Sequence, residues 1–143
     1  MKTITQSTGE FAGWNYWPDE PFESKLVGPF YFRIIDGEVV SAFRAQERHM
    51  NLAGVMHGGC LMTFGDFSLF TIASKEFAEN PYAVTVGFNA EFLDGPKVGE
   101  FVESRGEVLR SGKSLIFVRG IVTAEGRPCL NFSGTIKRIK KPL

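Results

Sequence analysis

The segment Cys60–Ala73 reads CLMTFGDFSLFTIA and is the most apolar stretch of this chain. It belongs to a helical pattern that starts near Gly58 and is predicted to run to about Ala78, where the Asn-Pro pair at 80–81 stops it. The pattern is apolar nearly all round, which is typical of a helix buried in a core. One long central helix is therefore predicted to organise the fold.

Asp66 is the only ionisable side chain of that stretch apart from the thiol at its first position. Burying a carboxylate among apolar residues costs free energy unless another group compensates for it. A charged residue that a core helix does not need is a candidate for chemistry. We therefore take Asp66 as a candidate general base or nucleophile.

The residues before the helix supply candidate hydrogen-bond donors. His57-Gly58-Gly59 opens the helix, and Asn51 lies six residues before the histidine. Backbone N–H groups at a helix start have no internal acceptor, and glycine lets a ligand approach them closely. The Gly58 N–H, with the amide of Asn51 beside it, is therefore predicted to polarise a carbonyl oxygen that becomes an oxyanion. The alternatives are that the glycine pair is only a turn and that His57 is structural, and for His57 we favour the structural role.

Strand-like runs flank the helix on both sides. Asp36-Gly37 separates the first two, which is a strong signal for a two-residue hairpin. Short turns separate the four runs after the helix, so neighbouring strands are expected to be antiparallel. The predicted fold class is α+β, with a curled antiparallel β-sheet wrapped round one long central helix. The predicted strands are 30–35, 38–45, 83–93, 101–109, 115–124 and 129–139.

Residues 1–29 are predicted to form an irregular, aromatic-rich N-terminal segment, and residues 30–143 a single domain. Tryptophans and prolines are interleaved in the segment, and proline disfavours a helix. A short helical turn is allowed around Glu20–Leu26. The segment is expected either to pack over the edge of the domain or to close a pocket, and packing is the favoured interpretation.

Composition and charge exclude several classes of function. The formal net charge is zero, with 16 basic and 16 acidic residues, so binding to nucleic acid or to an anionic membrane is not expected. No run of about 18 apolar residues and no signal-peptide pattern is present, so we predict a cytoplasmic protein. The two cysteines have no metal-like spacing, and His49 and His57 lack a third ligand, so no metal site is predicted.

The spacing of the candidate residues predicts a dimer. Gly58 and Asp66 are eight residues apart, which is about 12 Å along a helix axis. One carboxylate cannot span that distance to activate a water beside a carbonyl held at Gly58. Two such helices packed antiparallel about a two-fold axis near Met62 would place Asp66 of one chain beside Gly58 of the other, giving two equal sites.

The motif Asn51-x5-His57-Gly58-Gly59-x6-Asp66 resembles the PaaI-like branch of the hot-dog-fold acyl-CoA thioesterases. The run Val84–Leu93 and the turn Arg110–Lys113 are also similar to that family. The similarity extends from about Phe30 to the end of the chain. The HGG triplet alone is not specific, but its spacing to Asp66 together with the upstream asparagine is fairly specific.

The resemblance implies hydrolysis of an acyl or aryl thioester of coenzyme A, which is part of the substrate, so no cofactor is expected. It implies that Asp66 is the base or nucleophile, that the Gly58 N–H and Asn51 polarise the carbonyl, and that the Thr85 hydroxyl helps to hold the water. His57 is kept among the candidates as part of the motif. The residues expected near coenzyme A are Gly59, Pro96, Lys97, Arg110, Ser111, Gly112 and Lys113. For the turn residues among them, a solvent-exposed position that contacts no ligand is an equal alternative.

Gly87 departs from the family pattern, because many members carry Asp at this position. Loss of that side chain is expected to change substrate or water contacts. The resemblance also implies a homotetramer built from two dimers. Two other functions stay open: a non-catalytic acyl-CoA or fatty-acyl binder or sensor on the same fold, and a hydratase or dehydratase, whose usual catalytic histidine we do not find in the sequence.

Overall fold

A computed structural model describes residues 2–140 and contains eight strands and one α-helix. The elements are β1 (Ile4–Thr5), β2 (Asn15–Tyr16), β3 (Tyr31–Ile35), β4 (Glu38–Arg44), α1 (Gly58–Ile72), β5 (Ala83–Phe92), β6 (Phe101–Ser111), β7 (Leu115–Ala124) and β8 (Arg127–Arg138). A π-helical turn lies at Glu23–Val27, and 3-10 turns lie at Glu47–His49 and Ser74–Phe77. The strands form one antiparallel sheet in the order β1-β2-β3-β4-β6-β7-β8-β5. This arrangement confirms the predicted hot-dog architecture.

The core lies between α1 and one face of the sheet. Leu61, Phe64 and Leu69 of α1 are almost completely buried against inward side chains of β4 and β6–β8. Two buried pairs of hydroxyl groups join the helix to the sheet, Ser41 with Thr71 at 2.7 Å and Ser68 with Ser104 at 2.6 Å. These pairs satisfy polar groups that would otherwise be buried without a partner.

The hairpin turns follow the predicted chemistry. Asp36 and Gly37 both have positive φ, at 51° and 82°, which is the conformation that a two-residue hairpin with the right-handed strand twist requires. Glu125 and Gly126 repeat the same conformation between β7 and β8, at 49° and 81°. Six of the twelve predicted strand ends agree with the structure, and the other six differ by one or two residues. β6 includes a bulge between Val108 and Arg110.

The prediction that residues 1–29 are irregular was partly wrong. β1 and β2 lie in this segment, and β2 pairs with β3 through Asn15 and Phe32. Phe11 and Trp14 pack on the outer face of the sheet, where the Phe11 ring stacks on Tyr31 at 4.3 Å between centroids. Strands of two residues carry no periodic signal, so only the pairing partner reveals them.

The prediction for the end of the helix was also wrong, because α1 ends at Ile72 and a 3-10 turn follows it. Tertiary contacts explain the change of conformation. The Arg138 side chain donates a hydrogen bond to the Glu76 carbonyl at 2.5 Å, and the Ser111 hydroxyl donates to the Glu76 carboxylate at 2.7 Å. These bonds hold the turn against the ends of β6 and β8. No helix within residues 2–140 has the length and apolar character needed to cross a membrane.

Candidate active site

The helix α1 has a second face that stays partly open. Gly59, Met62, Thr63, Asp66 and Phe70 follow one another at helical spacing along this face, and all are at least partly exposed. Met62, an apolar side chain, is 40% exposed. The helix is therefore buried on one side only, and Asp66 lies on the open side, which we call the open face of α1.

Thr85 orients the carboxylate of Asp66. The Thr85 hydroxyl donates a hydrogen bond of 2.6 Å to Oδ1 of Asp66. Directly after it, β5 has a bulge at Val86, where the pairing with β8 skips one residue. Bulges re-aim neighbouring side chains, which accounts for Thr85 facing the helix. The bond to Oδ1 leaves Oδ2 of Asp66 available for another partner.

Glu23 lies in the same cavity as Asp66 and was missed by the sequence analysis. The cavity has a volume of about 320 Å³ and is lined by Phe22, Glu23, Met62, Thr63, Asp66 and Phe88. Burial, followed by the negative charges of Glu20 and Asp66, raises the pKa of Glu23 from 4.5 to about 7. A single glutamate in an irregular segment carries no signal in the sequence, so only the folded chain could identify it.

The start of α1 has one free donor. Nδ1 of His57 accepts the Gly59 N–H at 2.8 Å, and the His57 carbonyl accepts the N–H groups of Cys60 and Leu61. The Gly58 N–H alone, among the first four of the helix, has no acceptor within the part of the chain that the structure describes. His57 thus acts as the helix cap, while the Gly58 N–H stays available to a ligand.

Phe92 was not predicted as a neighbour of this donor. A Cβ atom on Gly58 would lie 3.1 Å from the Phe92 ring, so this ring bounds the space over Gly58. Phe92 ends β5 and is 53% exposed. A group that lies over Gly58 would therefore meet an apolar ring and a polar N–H side by side.

Asn51 shapes the loop that precedes the helix. Its side-chain oxygen accepts the N–H groups of Ala53 at 2.9 Å and Val55 at 3.3 Å, which leaves the NH₂ group as the donor end of the side chain. The loop borders an open cleft of about 890 Å³. The cleft is lined by Glu47, Met50, Asn51, Leu52, Ala53, Gly54, His57 and Val98. Asn51 and His57 therefore border the same cleft.

Two other polar groups of the region do not act as acids or nucleophiles. Burial lowers the pKa of His49, whose Nδ1 accepts the Gln46 N–H and whose Nε2 donates to the Val27 carbonyl at 2.7 Å. Burial raises the pKa of the Cys60 thiol to about 11, so it stays protonated. No group of three or more His, Cys, Asp or Glu side chains could hold a metal ion among residues 2–140.

The residues expected near coenzyme A fall into two groups in one chain. Pro96 is buried, and its carbonyl accepts the Met56 N–H at 2.7 Å, so Pro96 and the exposed Lys97 lie beside the loop that contains Asn51. The turn Arg110–Lys113 lies at the opposite end of α1, where Ser111 bonds to Glu76. Gly112 serves the turn itself, since its N–H donates to the Leu115 carbonyl at 2.8 Å.

Gly87 faces away from Asp66. A Cβ atom at this position would lie 3.8 Å from the Thr135 hydroxyl, an ordinary contact. The next residue, Phe88, points inward and lies against Gly65 of α1. Within one chain, a side chain at position 87 would therefore not line the Asp66 cavity, and having glycine there leaves the lining unchanged.

The donor and the carboxylate stay apart within one chain. Gly58 begins α1 and Asp66 lies eight residues further along the same helix, which corresponds to about 12 Å of rise. The Asp66 cavity and the cleft beside Asn51 have no lining residue in common. A single chain therefore presents two half-sites, one with a carboxylate and one with a free N–H donor.

Comparisons with known proteins identify the family and the fold of this chain. A model of the thioesterase superfamily matches residues 53–130. A Pseudomonas aeruginosa protein named for an expected esterase activity is 32% identical over 111 residues, covering 76% of this chain and 82% of that protein. Human acyl-coenzyme A thioesterase 13 is 31% identical over 81 residues, and the match spans 57% of each chain. A variant of the phenylacetic acid degradation protein PaaI from Thermus thermophilus has the same fold, with a TM-score of 0.71, 24% identity, and coverage of 84% of this chain and 100% of that one.

Proposed function

Because this chain belongs to the thioesterase superfamily and is a thioester hydrolase of the PaaI-like hot-dog type, we propose that it hydrolyses acyl or aryl thioesters of coenzyme A. The observation that carries the proposal is the oriented carboxylate of Asp66 on the same helix whose first N–H, that of Gly58, has no acceptor among the described residues. A base and an oxyanion donor are the two groups that acyl transfer to water requires.

Asp66 acts on water in this proposal. Thr85 holds Oδ1, so Oδ2 accepts a proton from the attacking water while the oxygen bonds to the thioester carbon. The Gly58 N–H stabilises the negative charge that develops on the carbonyl oxygen, with the NH₂ group of Asn51 beside it. Direct attack by the Asp66 carboxylate, with a mixed anhydride as intermediate, is the alternative for the same residues.

The complete site is proposed to span two chains. The open face of α1 carries the apolar side chains of Met62 and Phe70, and β5 is the edge strand of the sheet. Val84 and Val86 of that edge are 43% and 55% exposed. An exposed apolar edge beside an exposed apolar helix face favours association with a second copy.

A two-fold axis near Met62 would also unite the groups expected near coenzyme A. It sets Asp66 beside the partner's Gly58 and, in the same register, the turn that ends α1 beside the partner's loop before the helix. The turn Arg110–Lys113 contacts the turn that ends α1, and Lys97 lies beside the loop that precedes α1. The cations Arg110, Lys113 and Lys97 of the two chains would then face one substrate, which suits the phosphates of coenzyme A.

The same proposal includes the oligomeric state, the cofactor requirement and the location of the protein. The protein is a homodimer at least, and the family resemblance extends this to a homotetramer. Coenzyme A enters as part of the substrate, and the proposed chemistry requires no other cofactor and no metal. The protein is proposed to act in the cytoplasm, without nucleic-acid or membrane partners.

The test is release of free thiol from a panel of coenzyme A thioesters with short, long and aromatic acyl groups. We expect hydrolysis of at least one class, and the panel would identify the acyl preference. Tight binding without thiol release across the whole panel would reject the proposal in favour of a binder or sensor. Hydration of an enoyl-coenzyme A, followed by its absorbance, would indicate a hydratase instead.

A further inference from the structure

Glu23 is an acidic residue that the catalytic scheme above does not use. It lies on the π-helical turn Glu23–Val27 and lines the cavity of about 320 Å³ that contains Asp66 and Phe88. Its carboxyl group makes no hydrogen bond and no ion pair with any residue from 2 to 140. A carboxyl group that is partly removed from water and has no partner is unfavourable, so its position requires an explanation.

The turn that carries Glu23 is held from both ends. The Ser24 hydroxyl donates to the Trp17 carbonyl at 2.5 Å, and Nε2 of His49 donates to the Val27 carbonyl at 2.7 Å. The Arg48 guanidinium donates to the carbonyls on either side of Val27. Glu23 is therefore part of a fixed turn beside α1 and differs from a glutamate on a free surface loop.

The charges that act on Glu23 are both negative, Glu20 of its own segment and Asp66 of α1. Its own turn also carries Lys25, which is exposed to solvent. The 3-10 turn before α1 contributes Arg48, which contacts the far end of the π-helical turn, and β5 contributes only the uncharged ring of Phe88. Burial and the two carboxylates raise the pKa of Glu23 to about 7, so this group exchanges its proton in the neutral range.

We propose that Glu23 is the second carboxyl group of the active site and receives, through water in the shared cavity, the proton that Asp66 takes from the attacking water. The inference rests on the function proposed above. The outer side of the turn faces solvent, since Phe22 is 54% exposed, so a proton that reaches Glu23 can pass on to bulk water. A partner chain over the open face of α1 would leave this route as the exit for the proton.

The step balances as follows. One O–H bond of water breaks, its proton moves to Oδ2 of Asp66, and the oxygen bonds to the thioester carbon. The C–S bond then breaks, and its electron pair leaves with the sulfur as the thiolate of coenzyme A. The proton passes from Asp66 to Glu23 and on to solvent, solvent protonates the thiolate, and the acid product releases its own proton. Asp66 is then ready for the next turnover.

The test compares the pH dependence of kcat for the wild-type protein, Glu23→Gln and Glu20→Gln. The wild-type kcat is expected to rise through about pH 7, because Glu23 accepts a proton only when it is ionised. In Glu23→Gln the rise disappears and kcat above pH 7 falls by about 10-fold, while KM changes by less than about twofold. Glu20→Gln is the matched control and should keep the rise, shifted to lower pH because one negative charge near Glu23 is removed.

A second measurement does not depend on turnover. The carboxyl resonance of Glu23 in the full-length protein should titrate near pH 7, and at lower pH in Asp66→Asn, since that substitution removes a neighbouring charge. Titration in the ordinary range of glutamate, or an unchanged pH profile in an active Glu23→Gln variant, would overturn the role of Glu23 while leaving the thioesterase function standing. A wild-type protein that hydrolyses no thioester at any pH would overturn both.

Discussion

The two faces of α1 differ in how far their side chains are covered and bonded within one chain. On the buried face, Leu69 packs against β8 at Gly134, and the hydroxyl groups of Ser68 and Thr71 find partners on the sheet. On the open face, Asp66 has one partner in Thr85, and Met62 remains exposed. The first face is covered within one chain, whereas the second is the face that the proposed substrate and second chain would cover. Stability should therefore depend on the first face and activity on the second.

The largest effect is expected at Asp66. Asp66→Asn keeps the size of the side chain and the contact with Thr85 but removes the base, so kcat should fall by about 10³-fold. Binding of coenzyme A and the melting temperature should stay close to wild type, because the buried face is unchanged. The measurement is thiol release, together with calorimetric binding of coenzyme A. Unchanged turnover would remove Asp66 from the mechanism and end the distinction between the two faces.

Mixing two inactive variants tests whether the open face is completed by a second chain. Asp66→Asn and Asn51→Ala chains, unfolded and refolded together in equal amounts, should regain about a quarter of the wild-type activity. Half of the dimers would be mixed, and each mixed dimer would hold one intact site of two. Each variant refolded alone is the control. A mixture no more active than its components would show that each chain carries its own complete site.

Leu69→Ala tests the buried face. It removes a fully buried side chain that fills the space over Gly134, and the free energy of unfolding should fall by about 2–5 kcal/mol. At a temperature where the variant is folded, kcat should remain near the wild-type value. Leu52→Ala is the matched stability control, since Leu52 is fully exposed and its loss should cost less than about 0.5 kcal/mol. A large loss of kcat in folded Leu69→Ala would mean that the two faces are not separable.

Thr85→Val tests the contact between the sheet and the carboxylate. Valine keeps the shape of the side chain but cannot donate the 2.6 Å hydrogen bond, so Asp66 should lose its fixed orientation. We expect kcat to fall by about 10-fold, which corresponds to roughly 1.4 kcal/mol. Thr135→Val, on the neighbouring strand and facing Gly87, is the control. Equal rates for the two variants would show that the bond to Asp66 is not used in catalysis.

The last effect concerns how the free energy of unfolding depends on pH through Glu23. Its pKa is raised from 4.5 to about 7 by folding, so the folded protein holds this proton more tightly than the unfolded chain. The resulting stability is complete below pH 4.5 and is lost as the pH rises through 7. Between about pH 4.5 and 8 the wild-type protein should lose about 1–2 kcal/mol relative to Glu23→Gln, measured by denaturant unfolding. Parallel curves for the two proteins would contradict a partly buried Glu23.

Much of the fold could be predicted because its signals are local. The apolar run of α1, the Asp36-Gly37 turn and the alternating strands each depend on neighbouring residues, and the structure confirms them. β1 and β2 could not be predicted, because strands of two residues exist only through their partner β3. The end of α1 also depended on distant residues, since Arg138 and Ser111 hold the turn at Glu76.

The sequence by itself determined the fold class and singled out Asp66 and Gly58, because an isolated charge in an apolar helix and a glycine pair at its start are visible without coordinates. Only the tertiary structure decided that Thr85 orients Asp66, that His57 caps the helix while the Gly58 N–H has no acceptor among residues 2–140, and that Glu23 lines the Asp66 cavity. The physical reason is distance along the chain. Hydrogen bonds and cavities join residues that are far apart in sequence, and only the packing of the sheet around the helix brings them together.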